Sequence, residues 1–346
     1  SVDASKVEII DRATIPGWPV SPNRKRDVML SAALGILFGV LLAVLLDRLD
    51  NSIRSPDEVR EQLGVNVLGM IPVIRVDHDQ ARLSTDAPLE RLVTHADPRS
   101  VVAESYRSLR TNLAFARASQ DVRTLVLTSP GPADGKSTTV ANLAITFAQQ
   151  GQRTLLIDAD LRRAVLDKTF SVPRSPGLTE LIIGSVDLDQ AVHETQVPNL
   201  FVMGSGQFPP NPSELLGSPA MREILAEAKE KFDVVLFDSP PLLAVTDAAV
   251  LSTMVDGTVL VVRMGSTARE AARLAIARLR QVHARTLGAL LNDVHMRGPG
   301  YYGGYGYQYY AYYGSEASGN GKGNGKPQGV MGRIRELTGI GGRDGR

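Results

Sequence analysis

At 346 residues with 43% hydrophobic content, the chain is long enough for one large domain and accessory segments. Its 38 basic and 37 acidic residues leave a net charge of +1, so there is no global electrostatic case for a nucleic-acid partner. Cysteine is absent, which excludes disulfides, thiolate metal centres and a cysteine nucleophile.

In chain order, the first feature is the proline-rich run ATIPGWPVSPN, which reads as the end of a preceding unit. Residues 28–46, VMLSAALGILFGVLLAVLL, then carry no charge. As a helix they rise about 28 Å against a hydrocarbon core of about 30 Å, so a bilayer span is expected. A signal peptide has a shorter apolar core and a small-residue cleavage site, whereas Asp47, Arg48 and Asp50 follow here. Gly35 and Gly39, with Ala32 nearby, make a GxxxG face that would admit a second membrane helix. Arg24, Lys25 and Arg26 precede the span, and Arg48 and Arg54 after it are offset by Asp47 and Asp50. Local charge thus favours an inside N-terminus. A cytoplasmic C-terminal domain would need the opposite orientation, and the chemistry of that domain's own motifs is the stronger constraint.

Ser55-Pro56-Asp57-Glu58 supplies an N-cap serine, a proline at the first helical position and a glutamate at N3. A short helix over residues 56–63, stopped by Gly64, follows from that pattern. Residues 78–98 are polar with little periodicity and are expected to be a linker. Beyond them, apolar β-branched runs at 124–128, 154–157, 200–203, 234–237, 259–262 and 287–291 alternate with helical patterns at 101–118, 137–150, 219–231 and 268–285. Continuous apolar strands separated by helices imply an α/β domain, with a mostly parallel sheet covered on both faces.

The first of these strands runs into Thr128-Ser-Pro-Gly-Pro-Ala-Asp-Gly-Lys-Ser-Thr138. A strand, a tight Gly-containing loop and GKST opening a helix form the context of a phosphate-binding loop, and hence of a P-loop NTPase-like fold. The expected cradle is Pro132, Ala133, Asp134, Gly135, Lys136, Ser137 and Thr138. Backbone N–H groups would bind the phosphates of ATP, Lys136 would reach the β/γ-phosphates and Ser137 would ligate Mg²⁺. Pro130 stands where the usual first glycine falls, so one backbone donor is missing and φ is fixed there.

Two further strand ends carry acids. In LLIDADLRR, Asp158 and Asp160 lie at i and i+2 on one side of an extended backbone, and VVLFDSPP places Asp238 at the end of a buried strand. A lone Asp at a strand end is equally well a turn former or a helix cap. Ligand crevices in parallel sheets lie at the carboxyl ends of the strands, so these three converge on the loop. One carboxylate holding Mg²⁺ and another positioning or deprotonating an attacking hydroxyl is what phosphoryl transfer requires.

Eight of the nine tyrosines fall within residues 301–313: Tyr301, Tyr302, Tyr305, Tyr307, Tyr309, Tyr310, Tyr312 and Tyr313. No charge lies between Arg297 and Glu316, and GNGKGNGKPQG follows. So much glycine with so few aliphatic residues predicts a disordered Tyr/Gly-rich tail, exposed and easily delivered to an active site. The bland alternative is a low-complexity adhesive segment. A nucleotide site together with a dense set of phosphoacceptors points to self-phosphorylation.

Taken together, these motifs resemble the bacterial tyrosine kinases fused to polysaccharide chain-length determinants, over essentially every segment. TSPGPADGKST is similar to their Walker A motif, LLIDADLRR to the family's second aspartate motif and VVLFDSPP to Walker B. Glu104, Arg107 and Arg110 match the ExxRxxR helix through which the catalytic domains associate, and the tail sits where the autophosphorylated cluster does. The resemblance implies Asp158 as general base, Asp160 and Asp238 serving Mg²⁺ directly or through water, and Asn292 at the adenine or as a plain strand-end turn. It further implies a homo-oligomeric ring, with an octamer as the suggested size. Other implied partners are a polysaccharide polymerase and export machinery, a tyrosine phosphatase and membrane lipid, but no nucleic acid. The expected location is the cell (plasma or inner) membrane with a cytoplasmic kinase domain. The implied organisation is an extracytoplasmic end at 1–26, a transmembrane helix at 27–47, a juxtamembrane segment and linker at 48–98, a kinase domain at 99–299 and the tail at 300–346.

Two rivals stay open on sequence alone. A partitioning-type ATPase would carry a lysine where this chain has Gly131, and generally lacks both membrane helix and tyrosine tail. A catalytically silent co-polymerase is opposed by the intact Lys136, Ser137, Asp158, Asp160 and Asp238.

Overall fold

The computed structural model describes residues 24–73, 89, 92–118 and 122–295. The tyrosine cluster and the segment preceding Arg24 lie outside the described residues. Helix α1 (Arg24–Leu49) is apolar on every side over most of its 26 residues, so no single face can be buried and the rest left in water. Its stretch Arg24–Leu46 has a mean hydropathy of 2.7 and none of it is covered by protein, which makes it a candidate membrane anchor by length and composition. Around Gly35 and Gly39 there is open space, so their close-approach face is unused within this chain.

The remainder builds one eight-stranded sheet. Its strands are β1 (Val67–Pro72), β2 (Thr124–Thr128), β3 (Thr154–Asp158), β4 (Val192–Glu194), β5 (Leu200–Met203), β6 (Val234–Asp238), β7 (Gly257–Arg263) and β8 (Thr286–Val294). They are ordered β1-β8-β7-β2-β6-β3-β5-β4, and every pairing is parallel except β4 with β5. All residues of β2, β3 and β6 are buried, as the uninterrupted apolar runs demand of strands covered on both sides.

Alternation along β2 sorts the two cores. Leu125 and Leu127 face helices α2 (Val101–Ala118) and α3 (Lys136–Gln149), packing with Leu109, Leu113, Val140 and Leu143. Val126 faces the opposite layer, with Leu155, Ile157, Val235 and Phe237, beneath Ile224 and Leu225 of helix α4 (Pro219–Lys231). Farther along that layer, helices α5 (Asp247–Ser252) and α6 (Arg269–Gln281) cover Leu260, Val262 and Leu291.

The structure extends the domain backwards past the expected start at residue 99. Residues 48–98 were expected to be juxtamembrane segment and linker, yet Val67–Pro72 is the edge strand β1, paired with β8. Ser55 caps the helix that follows it, accepting from Glu58 N at 3.2 Å, and Gly64 ends it at φ 62°, as the sequence pattern demanded; the second half, Val59–Leu63, winds wider as a π-type turn. Val59 and Leu63 are buried with Ile53 against Ile276 and Leu279. Leu89 and Leu92 join the core on the other face, and Thr94 bonds to Asn142 of α3 at 2.8 Å.

Two residues soon after α1, Asn51 and Ile53, are stitched by three hydrogen bonds to the loop after β7 and the first residue of α6. Arg269 N donates to Asn51 O at 2.8 Å, Ile53 N to Thr267 O at 3.0 Å and Gly265 N to Ile53 O at 2.8 Å. A fragment spanning 51–295 should therefore unfold cooperatively, whereas one starting at 99 loses β1 and the buried Ile53, Val59, Leu63 and Ile71. At about 1.5–3 kcal/mol for each buried aliphatic side chain, calorimetry should show the shorter fragment melting at least about 10 °C lower or failing to fold. Equal melting temperatures would contradict the assigned boundary.

Candidate active site

Parallel strands deliver their carboxyl ends to one edge, and that edge carries every acid the motifs singled out. Asp158 and Asp238 stand opposite each other in register on β3 and β6, and Leu127, at the end of β2, is also level with Asp238. Between β2 and α3 the loop bends through Ala133 at φ 64° and Gly135 at φ 88°. A Cβ at Gly135 would lie 2.1 Å from Asn292 Nδ2, so only glycine fits there. Thr139 N donates to Gly135 O to open the helical ladder, which leaves the N–H groups of Lys136, Ser137 and Thr138 in the first turn for a phosphate.

The loop is braced from behind. Asp134, 5% exposed, accepts from Gly131 N at 3.1 Å and Thr267 Oγ1 at 2.8 Å; burial pushes its carboxyl up from the usual range while these two bonds act the other way. Pro130 lacks an N–H, and the Gly131 N–H is turned inward to this brace. Asn292 Nδ2 donates to Asp134 O at 3.0 Å. Asn292 was expected at the adenine or as a strand-end turn; it sits inside β8 rather than in a turn, and here its side chain holds the loop. Arg263 joins the same brace by bonding to Ala133 O at 3.4 Å and to Asp293 at 2.7 Å.

Lys136 Nζ lies 3.5 Å from Asp238 Oδ1, 3.6 Å from Asp160 Oδ2 and 3.1 Å from Ser137 Oγ. Asp158 is fully buried and accepts from Asp160 N at 3.2 Å, Val165 N at 2.9 Å and Leu166 N at 3.0 Å. Burial first, then the charge of Asp238, push Asp158 up to about 8. Burial likewise raises Asp238, opposed by Lys136, and its Oδ2 is a buried oxygen with no hydrogen-bond partner. Asp160 spends Oδ1 on the N–H groups of Arg162 and Arg163 at 3.3 and 2.9 Å.

Three buried carboxyl groups thus lie beside one ammonium, which touches two of them, and one carboxylate oxygen is unsatisfied. Such an imbalance is costly unless protons or a cation offset it, so the donor set fits a divalent ion. Among the described residues no group of three or more His, Cys, Asp or Glu forms a metal cage. Mg²⁺ needs none, because it takes one or two carboxylates and completes its shell with hydroxyl, phosphate and water oxygens.

Sequence reasoning missed Asp247, which is fully buried and holds Arg162 in a two-pronged pair at 2.9 and 3.2 Å while accepting from Ser213. Its position at the head of α5 resembles an ordinary helix start. The expected ionic face on α2 is only partly present. Glu104 and Arg107 pair at 2.8 Å, but Arg110 reaches across to Thr146 O at 2.6 Å near the end of α3. Tyr106, on the same helix and 1% exposed, is a core residue.

A family model described as an AAA domain matches residues 131–291. The tyrosine-protein kinase YwqD of Bacillus subtilis is 41% identical over 215 residues, covering 62% of this chain and 91% of that protein. The chain belongs to the bacterial tyrosine-protein kinases. The kinase domain of Escherichia coli tyrosine kinase ETK matches with a TM-score of 0.65 at 33% identity, over 71% of this chain and 97% of that one. A second bacterial tyrosine kinase, the BceF domain, matches at TM-score 0.63 and 39% identity, over 70% and 99%. The tyrosine-protein kinase ptk of Acinetobacter johnsonii is 34% identical over 299 residues, which is 86% of this chain and 41% of that kinase. This bacterial tyrosine kinase chain therefore spans about two-fifths of the length of that longer relative.

Gly135→Ala tests the loop geometry. The strained φ and the clash with Asn292 should weaken nucleotide binding at least about tenfold, as read by calorimetric titration, with the rest of the domain still folded by circular dichroism. Unchanged affinity would mean that the loop does not hold phosphate in this conformation.

Proposed function

We propose that the chain is the membrane-anchored catalytic part of an ATP-dependent tyrosine autokinase that phosphorylates its own cluster at residues 301–313. The observation carrying this reading is the cluster of Asp158, Asp160 and Asp238 about one lysine at the mouth of the phosphate loop. Lys136 and the first turn of α3 bind and orient the phosphates. Ser137 and Asp238, with Asp160 nearby, would hold Mg²⁺, which supplies charge neutralisation at the transferring phosphoryl group. The acceptor tyrosine Oη forms a bond to the γ-phosphorus as the bond to the ADP oxygen breaks. Its proton passes to Asp158, which the N–H groups of Val165 and Leu166 keep aimed.

In this reading the kinase domains meet in a homo-oligomeric ring at the inner face of the plasma membrane and act on one another's tails. Helix α2 supports such contact, since it exposes the Glu104–Arg107 pair together with Phe115 at 73% and Val101 at 37%. Arg110 serves indirectly by fixing α2 on α3. Each phosphotyrosine adds about −1.5 to −2 charges, so accumulated phosphate drives the copies apart and a tyrosine phosphatase resets them. The regulated process is polymerisation and export of a capsular or extracellular polysaccharide through a partner polymerase.

Phosphotyrosine immunoblots of the purified chain with ATP and Mg²⁺ should be positive for wild type and blank for Lys136→Met and Asp158→Asn. Lys136→Met should also weaken ATP binding, whereas Asp158→Asn should largely retain it, since the base acts on the acceptor. Robust signal in Asp158→Asn would remove that residue from the role of base.

The raised pKa gives a second check. Below about pH 8 the Asp158 carboxyl holds a proton in the nucleotide-free protein, so the catalytically competent form grows as pH rises. The kcat/KM for ATP, which reports the free enzyme, should climb about tenfold per pH unit on the acid side and level off, and any residual activity of Asp158→Asn should lack that limb. A flat wild-type profile from pH 5 to 8 would contradict it.

A further inference from the structure

Two loops beside the reacting carboxylates hold an exposed aromatic ring against a guanidinium. The first follows the short helix Leu166–Phe170, whose leading N–H groups are those bonded to Asp158. Asp167 in that helix pairs with Arg174 at 2.9 Å. The second loop leaves β5, the strand beside β3, with Met203 level with Ile157. It carries Phe208, which is 51% exposed, and the Arg174 guanidinium lies 5.2 Å from the ring centroid. One series of contacts thus leads from the base, through the head of the helix and Arg174, to Phe208 at the surface. Val165, 40% exposed and bonded through its N–H to Asp158, exposes an apolar side chain beside the base itself.

Both loops are fixed in place. The Glu180 carboxylate accepts from Ser175 Oγ at 3.0 Å, Gly177 N at 2.9 Å and Gln207 N at 2.9 Å, tying one loop to the other. Burial works against its charge, but these bonds outweigh it and hold Glu180 below the usual range. Gly206 N donates to Arg174 O at 2.9 Å, and a Cβ on Gly177 would fall 2.4 Å from Gly204 O, so the two backbones touch. An isolated exposed phenylalanine is unremarkable on a protein surface. One held rigid, backed by a cation and linked to the reacting edge is a recognition element.

We propose that Phe208, backed by Arg174, is the acceptor clamp of this kinase, selecting an aromatic side chain carried on a glycine-rich, uncharged strand. The occupant is the segment 301–313 of this chain. That segment supplies eight tyrosines with glycines between them and no charge, which suits a rim whose cation is already paired with Asp167. Strand β8 ends at the same carboxyl edge but five positions along the sheet from β5, so the rim of one copy takes the tail of another, as transfer between copies requires. The inference rests on the tyrosine-kinase reading and names that site's substrate class.

The test uses the full chain with a peptide of sequence YYGGYGYQYYAYYG as added acceptor. Phe208→Ala should raise the peptide KM about five- to tenfold while leaving the ATP KM, ATP hydrolysis and Tm unchanged, and Phe208→Trp should restore the peptide KM. The peptide with every tyrosine replaced by phenylalanine should inhibit wild type competitively and Phe208→Ala at least about fivefold more weakly. A peptide KM and inhibition indifferent to Phe208→Ala, in an otherwise active enzyme, overturns the clamp alone. A rise in ATP KM or a fall in Tm of the same variant overturns it too, by showing a structural role. A wild-type chain that binds ATP yet phosphorylates neither tail nor peptide overturns the kinase reading, and the clamp with it.

Discussion

Charge imbalance at the carboxyl edge of the sheet is the constraint around which the molecule is built. Asp158, Asp160 and Asp238 lie within a region almost closed to water, with Lys136 as the cation that touches two of them. Placing carboxylates side by side in low dielectric is unfavourable, and a sequence chosen for stability alone would avoid it. The register of β3 with β6 makes that proximity unavoidable, because the partner of Asp158 in the pairing is Asp238 itself. Fully buried strands on both sides keep the register from slipping, so the hydrophobic layers act as the frame that holds the acids together.

The phosphate loop is held by a second, separate device. Asp134, Asn292, Thr267 and Arg263 come from the loop itself, from β8, from the turn after β7 and from the end of β7, and all bond to residues 131–134. This explains how the loop tolerates Pro130. A proline at its first position removes a donor and stiffens one dihedral, and the remaining bend is fixed from outside by these side chains rather than by its own backbone.

Much of this was legible in the sequence because the signals were local. Uninterrupted apolar runs located the six inner strands, to within a residue for β2, β3, β5 and β6 but stopping three residues short of the end of β8, and the strand-loop-GKST pattern placed Lys136 and Ser137. The convergence of Asp158, Asp160 and Asp238 followed from the general rule for parallel sheets. What escaped was long-range or weakly patterned. Strand β1 contains Gly69 and Pro72, which dilute any β signal, and it exists because β8 offers an edge for it. Strand β4 has only three residues, and Asp247 finds Arg162 across 85 positions of sequence. Arg110 fits an ionic stripe by spacing, but a carbonyl on the neighbouring helix captures it, which no periodicity could reveal.

The stitch between residues 51–53 and the loop at 265–269 bears on how the catalytic body meets the apolar helix α1. Helix α1 ends at Leu49 and the first hydrogen bond to the catalytic body is made by Asn51, so a single intervening residue, Asp50, could act as a swivel. That residue is itself stiffened, accepting from Ser52 N at 2.8 Å and pairing with Arg54 at 2.5 Å. Thr267, whose carbonyl receives Ile53, uses its hydroxyl to hold Asp134. Between the end of α1 and the nucleotide loop, then, runs a continuous chain of bonded groups, Ile53 to Thr267 and Thr267 to Asp134, so the apolar helix and the phosphate cradle share a support.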